Sequence, residues 1–252
     1  MNTGWVEKYT QRIHYDGVLQ PSGVCLKALH QAHLMSVPFE DLDIHLGRPL
    51  SLNLQDLYHK VVLSNRGGFC YELNHLFGSM LRELGFQVNF IAAQVYGEDE
   101  QWGPQFDHMT IQVNGKWLAD VGFGGRSFVQ PLLLNDQNQQ TDPGGAYQIR
   151  ATRDQKFHLL RQDLEEGTFK PMYRFDLEPQ DVQNFQAECY AKQQDPNSHF
   201  VKNKICTVAT SEGRDSLLNS TFTRRIGSQK EIMEVDKEME VDILKKYFKI
   251  II

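Results

Sequence analysis

The sequence predicts an α+β protein: a helical bundle, then an antiparallel β-barrel, then a small α/β lid. Three observations lead there. Up to about Gly85 apolar residues recur at helical spacing. Beyond Gly85 they alternate with polar residues between turn signals. Near residue 199 short strands take over, followed by one last amphipathic segment. A chain of 252 residues is long enough for one large domain or two to three small ones. The expected divisions are 1–85 for the bundle, 86–177 for the barrel, 178–198 for a connecting helical segment and 199–252 for the lid.

The elements follow in order. An opening helix precedes "SGVCLKALHQAHLMS", which carries Val24, Leu26, Leu29 and Leu34, with Ser22 as N-cap after Pro21. "SLNLQDLYHKVVL" repeats the period. In "SNRGGFCYELNHLFGSMLREL" one stripe holds Leu73, Leu76, Phe77, Met80, Leu81 and Leu84. After Gly85, "FQVNFIAAQVY", "HMTIQVNGKWLADVGF" and "AYQIRATRDQKFHLLRQ" alternate, with turns at Asn114-Gly115 and Asp154. Asn-Gly between alternating runs signals a hairpin. "EPQDVQNFQAECYAKQQ" reads as helix, "KICTVATSEGRDSLLNSTFTRRI" as short strands and "MEVDILKKYFKI" as a closing helix. The acidic stretch "EIMEVDKEMEVD" reads as a solvated helix or a strand edge.

Composition removes several classes of function. A net charge of −6 leaves no basic surplus for nucleic acid. No apolar run approaches the roughly 18 residues of a membrane helix. "MNTGWVEKYTQRIHYDG" lacks a signal-peptide pattern, so a cytoplasmic location is expected. Cys25, Cys70, Cys189 and Cys206 are widely spaced, which fits neither a disulfide framework nor a zinc site. Each is therefore buried filling or a nucleophile.

Cys70 is the chemical candidate. It opens the helical stripe, where the helix dipole favours a thiolate and free backbone N–H groups suit an oxyanion. Gly67 and Gly68 allow an unusual backbone approach to that helix start. The alternative is a buried thiol sharing a face with Leu73 and Phe77. A nucleophilic cysteine needs a base, and the base an orienting group. His108 starts one strand and Asp120 ends the next. With the turn centred between 114 and 115, position 108 pairs near 121, so the two fall close together. "GFGGRSF", Gly122 to Phe128, is either a tight turn or a loop that lets a phosphate or pantetheine chain approach the backbone.

Together, "VPFEDLDI" (Val37 to Ile44), "RGGFCYELN" (Arg66 to Asn74), "DHM" around His108 and "ADVGFGG" (Ala119 to Gly125) resemble the arylamine N-acetyltransferase family in order and spacing. "SHFVKNKICTVAT" resembles the start of that family's third domain. The resemblance implies a cysteine-protease-like core and a Cys70–His108–Asp120 triad. It implies acetyl-CoA as donor and an arylamine, arylhydrazine or N-hydroxyarylamine as acceptor, with no metal. It places Arg66 and Glu40 at a structural ion pair. One departure is Asp41, where the family's motif has asparagine, so any hydrogen bond from that amide is in question. Phe39, Phe69, Phe123 and Phe200 are candidates for an aromatic pocket wall, and each has ordinary core packing as its alternative. Gly124, Gly125, Arg126 and Ser127 are candidates for a coenzyme A loop. Two other functions use the same features: a cysteine hydrolase or transglutaminase-like enzyme acting on amides, and a non-catalytic binder with an inert Cys70.

Overall fold

Ser22 caps the first long helix as its position suggests, its hydroxyl accepting the Cys25 N–H at 3.2 Å. The computed structural model describes residues 4–163 and 165–252. The bundle consists of α1 (Trp5–Arg12), α2 (Gly23–Ser36), α3 (Leu42–His45), α4 (Leu54–Tyr58) and α5 (Cys70–Glu83), with a π-helical turn, His59–Leu63, extending α4. α5 runs through the middle of the core. Leu73, Leu76, Phe77, Met80 and Leu81 are wholly buried, and Leu84 at its end is half-buried. That is the stripe expected of a helix buried by its apolar face.

The barrel comprises β2 (Val88–Val95), β3 (His108–Val113), β4 (Trp117–Ala119), β5 (Leu132–Leu133), β6 (Gln140–Asp142), β7 (Gly145–Ala151), β8 (Phe157–Gln162) and β9 (Phe169–Gln180). The eight strands run in the order β5-β4-β3-β2-β9-β8-β7-β6. The two edges meet through one side chain. Leu133 N–H donates to Gln140 Oε1 at 2.7 Å, and Gln140 Nε2 donates to Leu133 O at 2.9 Å. A side-chain amide thus replaces the missing ladder bonds and covers both edges. Ile91, Leu118, Phe128, Tyr147, Leu159 and Tyr173 fill the interior.

Two local expectations are corrected. β9 continues to Gln180, three residues past the expected barrel boundary, because Ile91 and Phe90 of β2 still pair with Pro179 and Gln180. The Asn114-Gly115 hairpin forms with both residues at positive φ, 51° and 62°. Its ladder, however, pairs Val113 with Trp117 and Ile111 with Ala119. The register is one residue later than a turn centred between 114 and 115 gives, because Lys116 is spent inside the turn, donating to Val113 O at 3.1 Å.

α6 (Gln186–Gln194) and α7 (His199–Lys202) connect barrel to lid, so Phe200 lies on a helix. The lid holds β10 (Ile205–Ala209), β11 (Gly213–Leu218), β12 (Thr221–Ile226), β13 (Gln229–Glu234) and α8 (Lys237–Tyr247). The acidic stretch divides into an exposed edge strand, β13, and the start of α8, capped by Asp236. The lid is not self-contained. A two-residue strand from the bundle, β1 (Phe39–Glu40), joins its sheet beside β10, with Phe39 opposite Thr207.

Asp41 sits at that seam. Its N–H donates to Ile205 O at 3.2 Å, and its Oδ1 accepts the Ile205 N–H at 2.7 Å. Oδ2 is buried and, among the described residues, has no partner. Burial pushes the Asp41 carboxyl up to about 8. Such a group supports folding most below the ordinary aspartate range, and its contribution is lost as pH rises through about 8. Asparagine at position 41 keeps an oxygen for Ile205 without the charge. The stability of Asp41→Asn relative to the native chain is therefore expected to improve by a few kcal/mol between about pH 5 and pH 8. Denaturant melts across that range test this, and a difference that does not change with pH would refute it.

Candidate active site

The site begins with how α5 starts. Arg66 is buried and holds Glu40 through two bonds, Nε to Oε1 at 2.9 Å and Nη2 to Oε2 at 3.0 Å, with Asp43 also 3.0 Å away. Glu40 in turn accepts the N–H groups of Leu42 and Gly67. The next residues therefore pass very close to the segment 37–40. A β-carbon on Gly67 would stand 2.0 Å from Pro38 O, so no other residue fits there. Phe69 is the N-cap but offers no acceptor; instead Glu72 turns back and accepts the Phe69 N–H at 3.0 Å. The first helical bond is donated by Leu73 N–H to Phe69 O. The N–H groups of Cys70, Tyr71 and Glu72 thus lie outside the helical ladder, beside the thiol. Cys70 is the first helical residue and is 4 % exposed.

The barrel brings the other two residues to it. His108 opens β3, and Asp120 directly follows β4. His108 Nε2 lies 2.7 Å from Asp120 Oδ2, both groups buried. That leaves Nδ1 as the nitrogen not engaged by Asp120, and Cys70 is near enough for its charge to act on the ring. Burial works against the charged imidazole, but the Asp120 carboxylate and Cys70 outweigh it and raise His108 to about 10. Burial also works against the Asp120 carboxylate. His108, Asn74 and the Gly122 N–H overcome it and hold that group below its usual range.

Three residues of this arrangement went unnoticed in the sequence. Asn74, one turn along α5 from Cys70, donates to Asp120 Oδ1 at 2.9 Å and accepts the Val121 N–H at 2.9 Å. It ties the helix carrying the thiol to the strand end carrying the acid. Tyr173, in the barrel wall, donates to Asp120 Oδ2 at 3.0 Å. His30 accepts the Asp120 N–H at Nε2, 3.0 Å, so its proton is on Nδ1, which donates to Val129 O at 2.9 Å. Burial lowers His30 to about 4, so it stays neutral and keeps both bonds. Only Asn74 had a local signal, its spacing of four from Cys70 on one helix face. Gly122 completes the closeness: a β-carbon there would be 2.7 Å from Cys70 Cα.

The aromatic candidates divide. Phe200 packs against Phe39 and Phe69, with ring centroids 6.3 and 5.5 Å apart. Phe123 meets His108 edge-on at 5.0 Å. Phe123 and Phe200 are half-buried, whereas Phe69 is fully buried and backs Phe200 without presenting a free face. Gly124–Arg126 form a single 3₁₀ turn abutting Phe39. Gly125 and Arg126 are exposed, while Gly124 and Ser127 are buried. All four cysteines are free thiols. Among the described residues, no group of three or more His, Cys, Asp or Glu side chains is placed to hold a metal ion.

A thiol at a helix start, near a histidine oriented by a buried carboxylate in an α+β, cysteine-protease-like core, is the arrangement of a thiol-dependent acyl-transfer or hydrolytic enzyme. Comparison with known proteins agrees. The N-acetyltransferase family model matches residues 24–252. An arylamine N-acetyltransferase of Gallus gallus, a pineal gland isozyme, is 31% identical, with 96% of this chain and 93% of that protein covered. The solved arylamine N-acetyltransferase of Salmonella typhimurium superposes with a TM-score of 0.92 at 30% identity, covering 99% of this chain and 92% of that one. The Mycobacterium marinum arylamine N-acetyltransferase, solved in complex with CoA, gives a TM-score of 0.90 at 27% identity, covering 97% and 92%. This chain belongs to the arylamine N-acetyltransferase family.

Proposed function

We propose that the protein transfers an acetyl group from acetyl-CoA to the nitrogen of an arylamine, arylhydrazine or N-hydroxyarylamine, through an acetyl-Cys70 intermediate. The observation that carries this reading is the buried His108–Asp120 pair, joined through Asn74 to the helix that Cys70 opens. His108 Nδ1 takes the Cys70 proton, and Asp120 stabilises the resulting imidazolium. The thiolate attacks the thioester carbonyl carbon while N–H groups at the start of α5 steady the oxyanion. The carbon–sulfur bond to CoA breaks, and the CoA thiolate leaves with the proton from His108. The amine then attacks acetyl-Cys70 and gives its proton to His108, and the acetamide departs as Cys70 is freed. This is a ping-pong cycle.

In this reading the bundle supplies the nucleophile, the barrel supplies the base and acid, and the lid borders the donor. Half-buried Phe123 and Phe200 offer aromatic surface to a flat amine, with Phe39 and Phe69 behind Phe200. Gly125 and Arg126 are the accessible part of the Gly124–Ser127 loop for the donor. Four free thiols suit a cytoplasmic, reducing setting.

Mixing the protein with acetyl-CoA in the absence of amine should add one acetyl group, mapped to Cys70 by intact-protein and peptide mass spectrometry. An arylamine should then remove it. No adduct, or an adduct on lysine, would overturn the reading and favour an amide hydrolase on the same triad.

A further inference from the structure

His30 stands outside the triad, yet both of its ring nitrogens are engaged beside it. The residue belongs to α2 and is wholly buried. Nδ1 bonds to Val129 O at 2.9 Å, and Nε2 accepts the Asp120 N–H at 3.0 Å. A carbonyl only accepts and a backbone N–H only donates, so these partners admit one neutral tautomer, with the proton on Nδ1. Charging the ring would add a proton to Nε2, pointed at the Asp120 N–H. Burial lowers His30 to about 4 and so keeps it neutral. The ring is also fixed in its plane. It stacks on Phe128, with centroids 5.6 Å apart and planes 6° apart, and meets Phe77 edge-on at 5.9 Å.

The two partners are the two ends of one segment. Between Asp120 and Val129 runs the stretch 121–128, which holds Gly122 against Cys70 Cα and Phe123 edge-on to His108. At the first end, three consecutive N–H groups past β4 are each met by a side chain. His30 Nε2 takes that of Asp120, Asn74 Oδ1 takes that of Val121 at 2.9 Å, and the Asp120 carboxylate takes that of Gly122 at 3.0 Å. These bonds fix the backbone from which the carboxylate reaches His108. Of the three, only the His30 bond ties that backbone to α2, a helix that carries no triad residue. At the far end Asp142 accepts the Val129 and Gln130 N–H groups, and His30 takes the Val129 carbonyl. A leucine or methionine would fill much of the same space but would leave a buried N–H and a buried C=O unpaired.

We propose that His30 is a positioning residue acting at both ends of this segment. Its Nε2 sets the backbone of Asp120, and through it the orientation of His108 toward Cys70. Its Nδ1 sets the far end of the stretch that presents Phe123 to the acceptor amine. The second half of the proposal rests on the acetyl-transfer reading above, and the first half does not need it.

Asparagine and glutamine separate the two bonds. An asparagine amide nitrogen stands where Nδ1 does and keeps Val129 O, but the side chain is too short for the Asp120 N–H. A glutamine amide oxygen stands where Nε2 does and keeps the Asp120 N–H, giving up Val129 O. Two readouts follow the two ends. Alkylation of Cys70 by iodoacetamide, mapped by peptide mass spectrometry, reports the thiolate that His108 supports and needs neither acetyl-CoA nor amine. KM for aniline, at saturating acetyl-CoA, reports the amine side. Alkylation should be about tenfold or more slower in His30→Asn than in the native protein, and His30→Gln should recover most of that loss. For aniline the order should reverse: KM should rise about three- to tenfold in His30→Gln and less in His30→Asn. A residue needed only for folding would rank the two variants the same way in both readouts, and that result would overturn the proposal. Should the variants misfold, the native protein decides. Nitrogen-15 NMR of the ring should show His30 with its proton on Nδ1, and a proton on Nε2 instead would overturn the proposal. If Cys70 is acetylated by acetyl-CoA while both variants alkylate at the native rate, only the His30 proposal fails. If alkylation follows the expected order and the native protein takes no acetyl group from acetyl-CoA, the acetyl-transfer reading fails and the Asp120 half of the proposal stands.

Discussion

Asp120→Asn is expected to lower kcat/KM for acetyl transfer about 10⁴-fold. The carboxylate accepts from four donors: His108 Nε2, Asn74 Nδ2, the Gly122 N–H and the Tyr173 hydroxyl. An asparagine side chain has one acceptor oxygen and an NH2 group, so it must turn donors toward donors on one side. Either His108 loses its orienting acceptor or Asn74 loses its anchor. The charge that raises His108 is lost in both cases. NMR titration of the His108 ring separates this from simple unfolding. In the native protein the ring should stay protonated until near pH 10, and in the variant its titration should fall toward the ordinary histidine range. A stability loss of about 1–3 kcal/mol should accompany it and is read separately by thermal melts. Activity within tenfold of native, with His108 still titrating near 10, would refute the role given to Asp120. In the native chain, the contribution of the pair to stability is lost as pH rises through about 10, where His108 gives up its proton. It is also lost as pH falls below the usual aspartate range, where Asp120 is protonated.

Arg66→Met is expected to cost about 3–5 kcal/mol, because it leaves Glu40 buried and unpaired. For a chain of this size that is a drop in Tm on the order of 10 °C. Lys60 does not replace the arginine: it is already held by Asp43 and Glu72, at 2.8 Å each. Adding Glu40→Gln to Arg66→Met should recover part of the loss, since it removes the orphaned charge while keeping an oxygen for one of the Leu42 and Gly67 N–H groups, which bond to different oxygens of Glu40. Denaturant melts of the two single variants and the double variant measure the coupling. A loss below about 1 kcal/mol for Arg66→Met, or a double variant less stable than both singles, would show that the pair does not hold this seam. Acetylation of Cys70 should slow in Arg66→Met as well, because the same pair sets the path of Gly67 and Gly68 into the start of α5.

Much of the site was legible in the sequence where its signal was local. The α5 stripe, the Ser22 cap and the Asn114-Gly115 turn each declare themselves within a few residues. Cys70 stands out because two glycines precede it and a helix follows. His108 and Asp120 could be brought together because one hairpin joins them, even though the ladder differs by one residue from the expected register. Asn74, Tyr173 and His30 were not found. Tyr173 and His30 look like any buried aromatic residue on a strand or helix, and only the closed barrel aims them at Asp120.

By itself, then, the sequence determined the periods, caps and turns, and through them the order of helices and strands and the candidates Cys70, His108 and Asp120. Those features arise from backbone geometry and side-chain chemistry over a few neighbouring positions. Tertiary structure alone decided that β1 completes the lid sheet, joining residues 39 and 40 to 206 and 207. It also decided that the Gln140 amide joins the barrel edges. Such contacts depend on strand register and on which distant segments meet. A register change of one residue would send each of those side chains to the other face, and nothing in the local sequence around them records which choice the fold makes.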